Sequence, residues 1–174
     1  MRILLVCTGL NDLGGANRTV TLSGGAGTWN ISGVVSNGGL TKAGANLMLL
    51  SASNTYALGT TISAGTLVGD ADGSFGTNSV TVANSATLTL TNGVLNNYIG
   101  NQAQLILGST STLNLGFIGT DIVGGLSLDG GTTWLPNGIY TAAQLEALPG
   151  ATVAGTGSLT VGAKILRLIS ITSP

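Results

Sequence analysis

The feature that most limits what this chain can fold into is a recurring doublet: two apolar residues flanking a single residue of another kind. It occurs at Val20/Leu22, Trp29/Ile31, Met48/Leu50, Val80/Val82, Leu88/Leu90, Leu105/Leu107, Leu113/Leu115, Leu126/Leu128 and Leu159/Val161. Side chains alternate faces along a strand, so each doublet sets two apolar groups on one side. The residue between them is often Thr, Ser or Asn, which suits a solvated outer face. Clusters of Gly, Asn, Ser and Asp separate the doublets and are turn signals. Bursts this short cannot hold an isolated hairpin together. They are stable where each stacks on the next and buries its doublet in a shared interior, the logic of a solenoid. The expected fold is all-β: a right-handed parallel β-helix (β-solenoid) with one short helix in a C-terminal excursion. At about 20–25 residues per coil the chain supplies roughly seven coils, which at about 4.8 Å each make a rod on the order of 35 Å long.

Composition narrows the function classes. Only 6% of the 174 residues are charged, against about 25% in an ordinary globular protein. The net charge is −1, with five Lys and Arg scattered along the chain. No basic patch is present to neutralise phosphates, so no nucleic-acid partner is expected. Mean hydropathy is +0.48, yet no stretch approaches the roughly 18 apolar residues of a membrane span. One cysteine, Cys7, and no histidine leave neither an internal disulfide nor the usual zinc ligands.

The residues that carry chemistry elsewhere fall short of a site here. The opening MRILLVCTG is similar to the start of the low-molecular-weight tyrosine phosphatases, whose loop needs an arginine six residues after the cysteine; Leu13 stands there, and the nearest arginine is Arg18. Asp70 and Asp72 begin like a calcium loop, but its twelfth position is Thr81 rather than glutamate. Asp129-Gly130-Gly131 reads as a turn. No motif pairs the acids Asp12, Asp70, Asp72, Asp121, Asp129 and Glu146 as glycoside hydrolysis would require. Nucleophilic triads lack their histidine, and Gly24–Gly27 precedes a strand rather than a helix, unlike a dinucleotide loop. Among the bases Arg2, Arg18, Lys42, Lys164 and Arg167, Lys42 is expected to have a turn or capping role rather than a catalytic one. No catalytic, cofactor-binding or metal-ligating residue is assigned, no cofactor is expected, and the chain is not expected to be an enzyme. The large aromatics are expected to be buried by default, with Trp134 the best candidate for stacking on a sugar.

Residues 39–67 read GLTKAGANLMLLSASNTYALGTTISAGTL. This phrase resembles the autotransporter-associated β-strand repeat of secreted passenger domains. Gly39, Leu40, Thr41, Lys42, Gly44, Leu50, Ser51, Asn54, Thr55, Tyr56, Gly59, Thr60, Thr61, Ile62, Gly65, Thr66 and Leu67 match it without a gap. Weaker similarity extends over residues 17–28, 79–90 and 113–161. The chain thus divides into an unassigned segment 1–16, a β-solenoid passenger-like domain 17–161 and an unassigned tail 162–174. Leu47 and Leu49 depart from the phrase, standing where outward Thr is usual, and Leu58 replaces a turn glycine. The excursion contains the single predicted helix, residues 142–148, with Thr141 and Gln144 at capping-box spacing and Pro149-Gly150 as its stop.

The resemblance implies a structural β-solenoid segment of a secreted or surface-displayed autotransporter-like passenger, extracellular or on a bacterial cell surface. The alternative is an adhesin or glycan-binding module on the β-helix flank; a polysaccharide-degrading β-helix ranks third. Expected partners are cell-surface glycans or neighbouring coils of a longer passenger. The apolar run after Arg2 is too short for a complete signal peptide, so the chain is expected to be a segment of a longer polypeptide.

Overall fold

The computed structural model describes residues 3–9, 11–22 and 27–162. The expectations placed on Arg2, Gly24–Ala26, Lys164, Arg167 and the rest of the tail lie outside these residues.

The chain winds between two parallel sheets. The first holds β1 (Ile3–Cys7), β3 (Gly27–Ile31), β5 (Leu47–Leu50), β7 (Thr66–Gly69), β9 (Thr87–Leu90), β11 (Thr112–Leu115) and β15 (Thr152–Gly155), in that spatial order. The second runs in order through β2 (Asn11–Thr21), β4 (Val35–Ala43), β6 (Thr60–Ile62), β8 (Val80–Val82), β10 (Gln104–Leu107) and β13 (Gly125–Ser127). Every pair within these two sheets is parallel, and up to β11 the strands alternate between them, odd in the first and even in the second. A third, small sheet orders β12 (Thr120–Val123), β16 (Ser158–Val161) and β14 (Gly138–Thr141), the last antiparallel. This is a β-solenoid.

Five regular turns carry the chain from β1 to β11, each of 19 to 25 residues by the register of the first sheet. The seven expected from a uniform period are therefore too many. The next return, from Leu113 to its partner Val153, takes forty residues, because the chain leaves the coil to build the excursion. At about 4.8 Å per turn the regular stack is on the order of 25 Å long.

Register explains the doublets. Met48, Leu67, Leu88, Leu113 and Val153 form one inward column, and Leu50, Gly69, Leu90 and Leu115 run beside it. Of the nine doublets, seven are fully buried. The exceptions share one end of the stack. Val20 is half-buried and Trp29 is 36% exposed, so the expected burial of Trp29 is corrected: although β1 pairs alongside it, its side chain lines an open cavity near this end of the stack. Where Gly69 interrupts a column, the Phe75 ring occupies the space a side chain would need.

The helix α1 (Ala142–Glu146) starts where expected and ends two residues early, with Ala147 as its C-cap. Both halves of the capping box form: the Thr141 hydroxyl accepts from the Gln144 N–H, and the Gln144 side chain accepts from the Thr141 N–H. The excursion closes this end of the solenoid. The Glu146 carboxylate accepts the Val153 N–H on the terminal strand β15, and Leu135 donates its N–H to the Leu126 carbonyl on the terminal strand β13. One edge group on each of these strands is thereby occupied.

Candidate functional site

The repeat phrase occupies one full turn, from β4 through β7, and its matched positions hold that turn together. Lys42 is the least expected. Its column partners in the second sheet are Ile62 and then Val82, so a base stands in an aliphatic column, and it is fully buried. Its Nζ donates to the carbonyls of Gly44 at 2.6 Å, Ala64 at 2.9 Å and Ala43 at 3.2 Å. Three ammonium protons thus meet three acceptors from two successive corners. Burial lowers its pKa. The capping role read from the sequence is the geometry observed.

Gly44 turns the chain beside it at φ +78°, where a Cβ would run into the Leu22 carbonyl. Tyr56 lies wholly inside and shares a 2.6 Å hydrogen bond with Thr60 Oγ1. Thr60 takes its place in the column between Leu40 and Val80, so that bond satisfies a hydroxyl set among aliphatic groups. Asn54 is 5% exposed. Its Oδ1 accepts from the Val35 N–H at 2.8 Å and its Nδ2 donates to the Ser74 carbonyl at 2.6 Å, bridging the turns before and after its own. Replacing Asn54 by alanine strips partners from a buried N–H and a buried carbonyl, so Asn54→Ala is expected to destabilise the fold by about 2–3 kcal/mol. Urea unfolding monitored by circular dichroism checks this; an unchanged midpoint would show that the two groups find other partners.

The bridging continues along the longer corners. Asn78 donates to the Ala57 carbonyl, Asn92 to Asp70, and Asn96 to the Ile118 carbonyl. The Asp72 carboxylate accepts the N–H groups of Val94, Leu95 and Asn97 at 2.9–3.0 Å. It thereby clamps a loop that holds Val94 and Leu95 out to solvent. Asp70 and Asp72 organise corners in this structure, and Asp129 does likewise, accepting from Ser127 Oγ and the Thr133 N–H. Those hydrogen bonds hold its carboxyl below the usual range. Asp121 differs. It is 1% exposed at an inward position of β12, accepting from the N–H groups of Ile99 at 3.2 Å and Ile122 at 2.8 Å. Burial pushes its pKa up to about 7.

The other residues raised from the sequence lie apart. Cys7 is exposed at the open end of the stack, and Asp12 bonds Gly14 and Asn37 there. Trp134 is 40% exposed, its ring lying against Gly125 of β13. Leu47 and Leu49 are half-buried between their neighbours in the first sheet, whereas Leu58 is 54% exposed. Among the described residues, no three His, Cys, Asp or Glu side chains gather as a metal site, and no helix is long and apolar enough to cross a membrane. Sequence reasoning missed the interior roles of Asp121 and Thr60. A signal existed for Thr60, since it lies two residues before Ile62 in the doublet pattern.

No family model matches the chain, and neither a curated protein nor a solved structure is significantly similar to it.

Proposed function

We propose that this protein is a structural β-solenoid segment of a secreted or surface-displayed passenger of the autotransporter kind. One observation carries the reading: in the turn spanned by residues 39–67, the positions that match the passenger repeat are the ones that build the coil. Lys42, Asn54, Tyr56 and Thr60 satisfy backbone or one another inside it, and Gly44, Gly59 and Gly65 take its positive-φ corners. A motif whose buried matched residues, Lys42, Asn54, Tyr56 and Thr60, bond inside the coil suits stacking rather than chemistry at a surface. Coils that contact only their neighbours can fold one after another as a chain emerges, which suits export in the unfolded state.

The test is an immunoblot of fractionated native cells under denaturing conditions, with an antibody to residues 39–67. A species well above 17.1 kDa in the outer membrane or medium is the expected result. A species of that mass confined to the cytoplasm overturns the proposal.

A second reading, a glycan-binding module, has one observation in its favour: the Trp134 ring rests against Gly125 of β13 and keeps 40% of its surface exposed, leaving area for stacking on a sugar. A blank glycan array would remove it.

A further inference from the structure

The excursion crosses the outer face of the second sheet. Gly131 lies against Ile106 of β10, and the Trp134 ring sits so close to Gly125 of β13 that a Cβ there would crowd it. Gln104, exposed on the same face of β10, borders that space. Two residues further along β10, about 7 Å, the face opens into a groove of about 350 Å³. Thr81 of β8 and Ile106 of β10 form its floor, and Asn84, Ser109, Asp129 and Gly130 line it from the corners. Its polar groups are underused. The Thr81 and Ser109 hydroxyls and the Asn84 Nδ2 have no hydrogen-bond partner among the described residues, Asn84 using only its Oδ1, towards the Thr110 N–H. Ser127 Oγ and the Thr133 N–H both reach Asp129 through Oδ1, which leaves lone pairs on Oδ2.

We propose that Trp134 and this groove form one binding site for an uncharged oligosaccharide. The inference rests on the glycan-binding reading above, and extends it from one aromatic platform to a site longer than a single sugar ring. Three features select the ligand. Sugar hydroxyls both donate and accept, and the groove offers the counterpart of each: the Asn84 amide donates, Asp129 Oδ2 accepts, and the Thr81 and Ser109 hydroxyls do either. A bare cation would leave those donors unanswered. Charge excludes an acidic sugar. The hydrogen bonds that hold the Asp129 carboxyl below its usual range keep it ionised, so an anion would meet a like charge. No cation offsets it among the described residues: Lys42 is buried inside the coil, and Arg18 lies on β2 at the far end of the second sheet. Finally, the Trp134 ring and the Ile106 side chain supply apolar surface for the C–H faces of the rings.

The test titrates the full chain by calorimetry with short soluble oligomers of glucose, mannose and N-acetylglucosamine, and with oligogalacturonate as the acidic counterpart. At least one uncharged oligomer is expected to bind, and more tightly than its own monosaccharide, while oligogalacturonate does not. Trp134→Ala is expected to raise Kd about tenfold. Thr81→Val combined with Ser109→Ala removes two groove hydroxyls outside the buried core, and is expected to raise Kd about fivefold or more. Each variant is checked for wild-type circular dichroism. Binding that weakens with Trp134→Ala but ignores the groove pair overturns the extended site and leaves the platform reading standing. Binding that ignores Trp134→Ala places the site elsewhere and overturns the proposal, and equal affinity for oligogalacturonate overturns the choice of an uncharged ligand. Failure of every oligomer to bind overturns both the site and the glycan reading beneath it.

Discussion

Replacing Lys42 with alanine is expected to lower the stability of the solenoid by about 3–5 kcal/mol, the range for loss of a buried hydrogen-bonded group together with its packing. Two effects add. The carbonyls of Gly44 and Ala64 lose a charged donor, at 2.6 and 2.9 Å, inside a column that water does not reach. The four-carbon stem, stacked on Ile62, leaves a void with its own cost. Lys42→Met separates the two, because it keeps a stem of similar length and removes only the donors. It is expected to fall between wild type and alanine. Chemical unfolding followed by far-ultraviolet circular dichroism makes the comparison at neutral pH. If Lys42→Met proves as stable as wild type, the carbonyl cage contributes nothing, and the lysine is held there by packing alone.

Lys42 also shows how far the sequence could be read. The doublets identified the inward columns because leucine and valine announce their burial, and seven of nine lie inside as expected. The same columns continue through Lys42, Thr60, Gly69 and Asp121, which carry no such signal. Each is tolerated inside for a reason visible only in three dimensions: three carbonyls around Lys42, the Tyr56 hydroxyl on Thr60, the Phe75 ring over Gly69, two N–H groups on Asp121. The helix was legible because its capping box is local, lying within four residues. The number of turns was not, because a uniform period cannot foresee a forty-residue return from Leu113 to Val153. Trp29 was misplaced for a related reason. Its doublet has the inward spacing, but the side chain lines an open cavity near the end of the stack, and position in the stack is not a property of the doublet. As for function, the Asn and Asp bridges between turns fall in corners that read as ordinary turn residues, so the lacing of one coil to the next emerged only from the structure.

A different expectation concerns pH. Stability is expected to fall as pH rises from about 4 to about 7, the reverse of the usual behaviour of a carboxylate. The cause is Asp121. Burial pushes its pKa up to about 7; the N–H groups of Ile99, Ile122 and Tyr98 pull it down, and the nearby Asp72 carboxylate raises it further. In the unfolded chain the same carboxyl ionises near 3.9. Between those values the folded state holds a proton that the unfolded state has released, so each rise in pH favours unfolding. A separation of that size corresponds to a loss on the order of 3–4 kcal/mol, complete above about pH 7 and absent below about pH 4. The hydrogen bonds that lower the pKa of Asp129 act in the other direction, and their stabilisation is lost only as pH falls through the acidic range, outside this window. Asp121→Asn removes the titrating group while keeping an oxygen to accept from these N–H donors. The variant is expected to show a nearly flat stability from pH 5 to 8 and to exceed wild type at the upper end. The unfolding midpoint in urea, measured at a series of pH values for both proteins, decides it. A wild-type midpoint that stays level or climbs through this range would mean that Asp121 ionises inside the coil without cost, and that the stacked corner around Tyr98 and Ile99 solvates a charge far better than its burial implies.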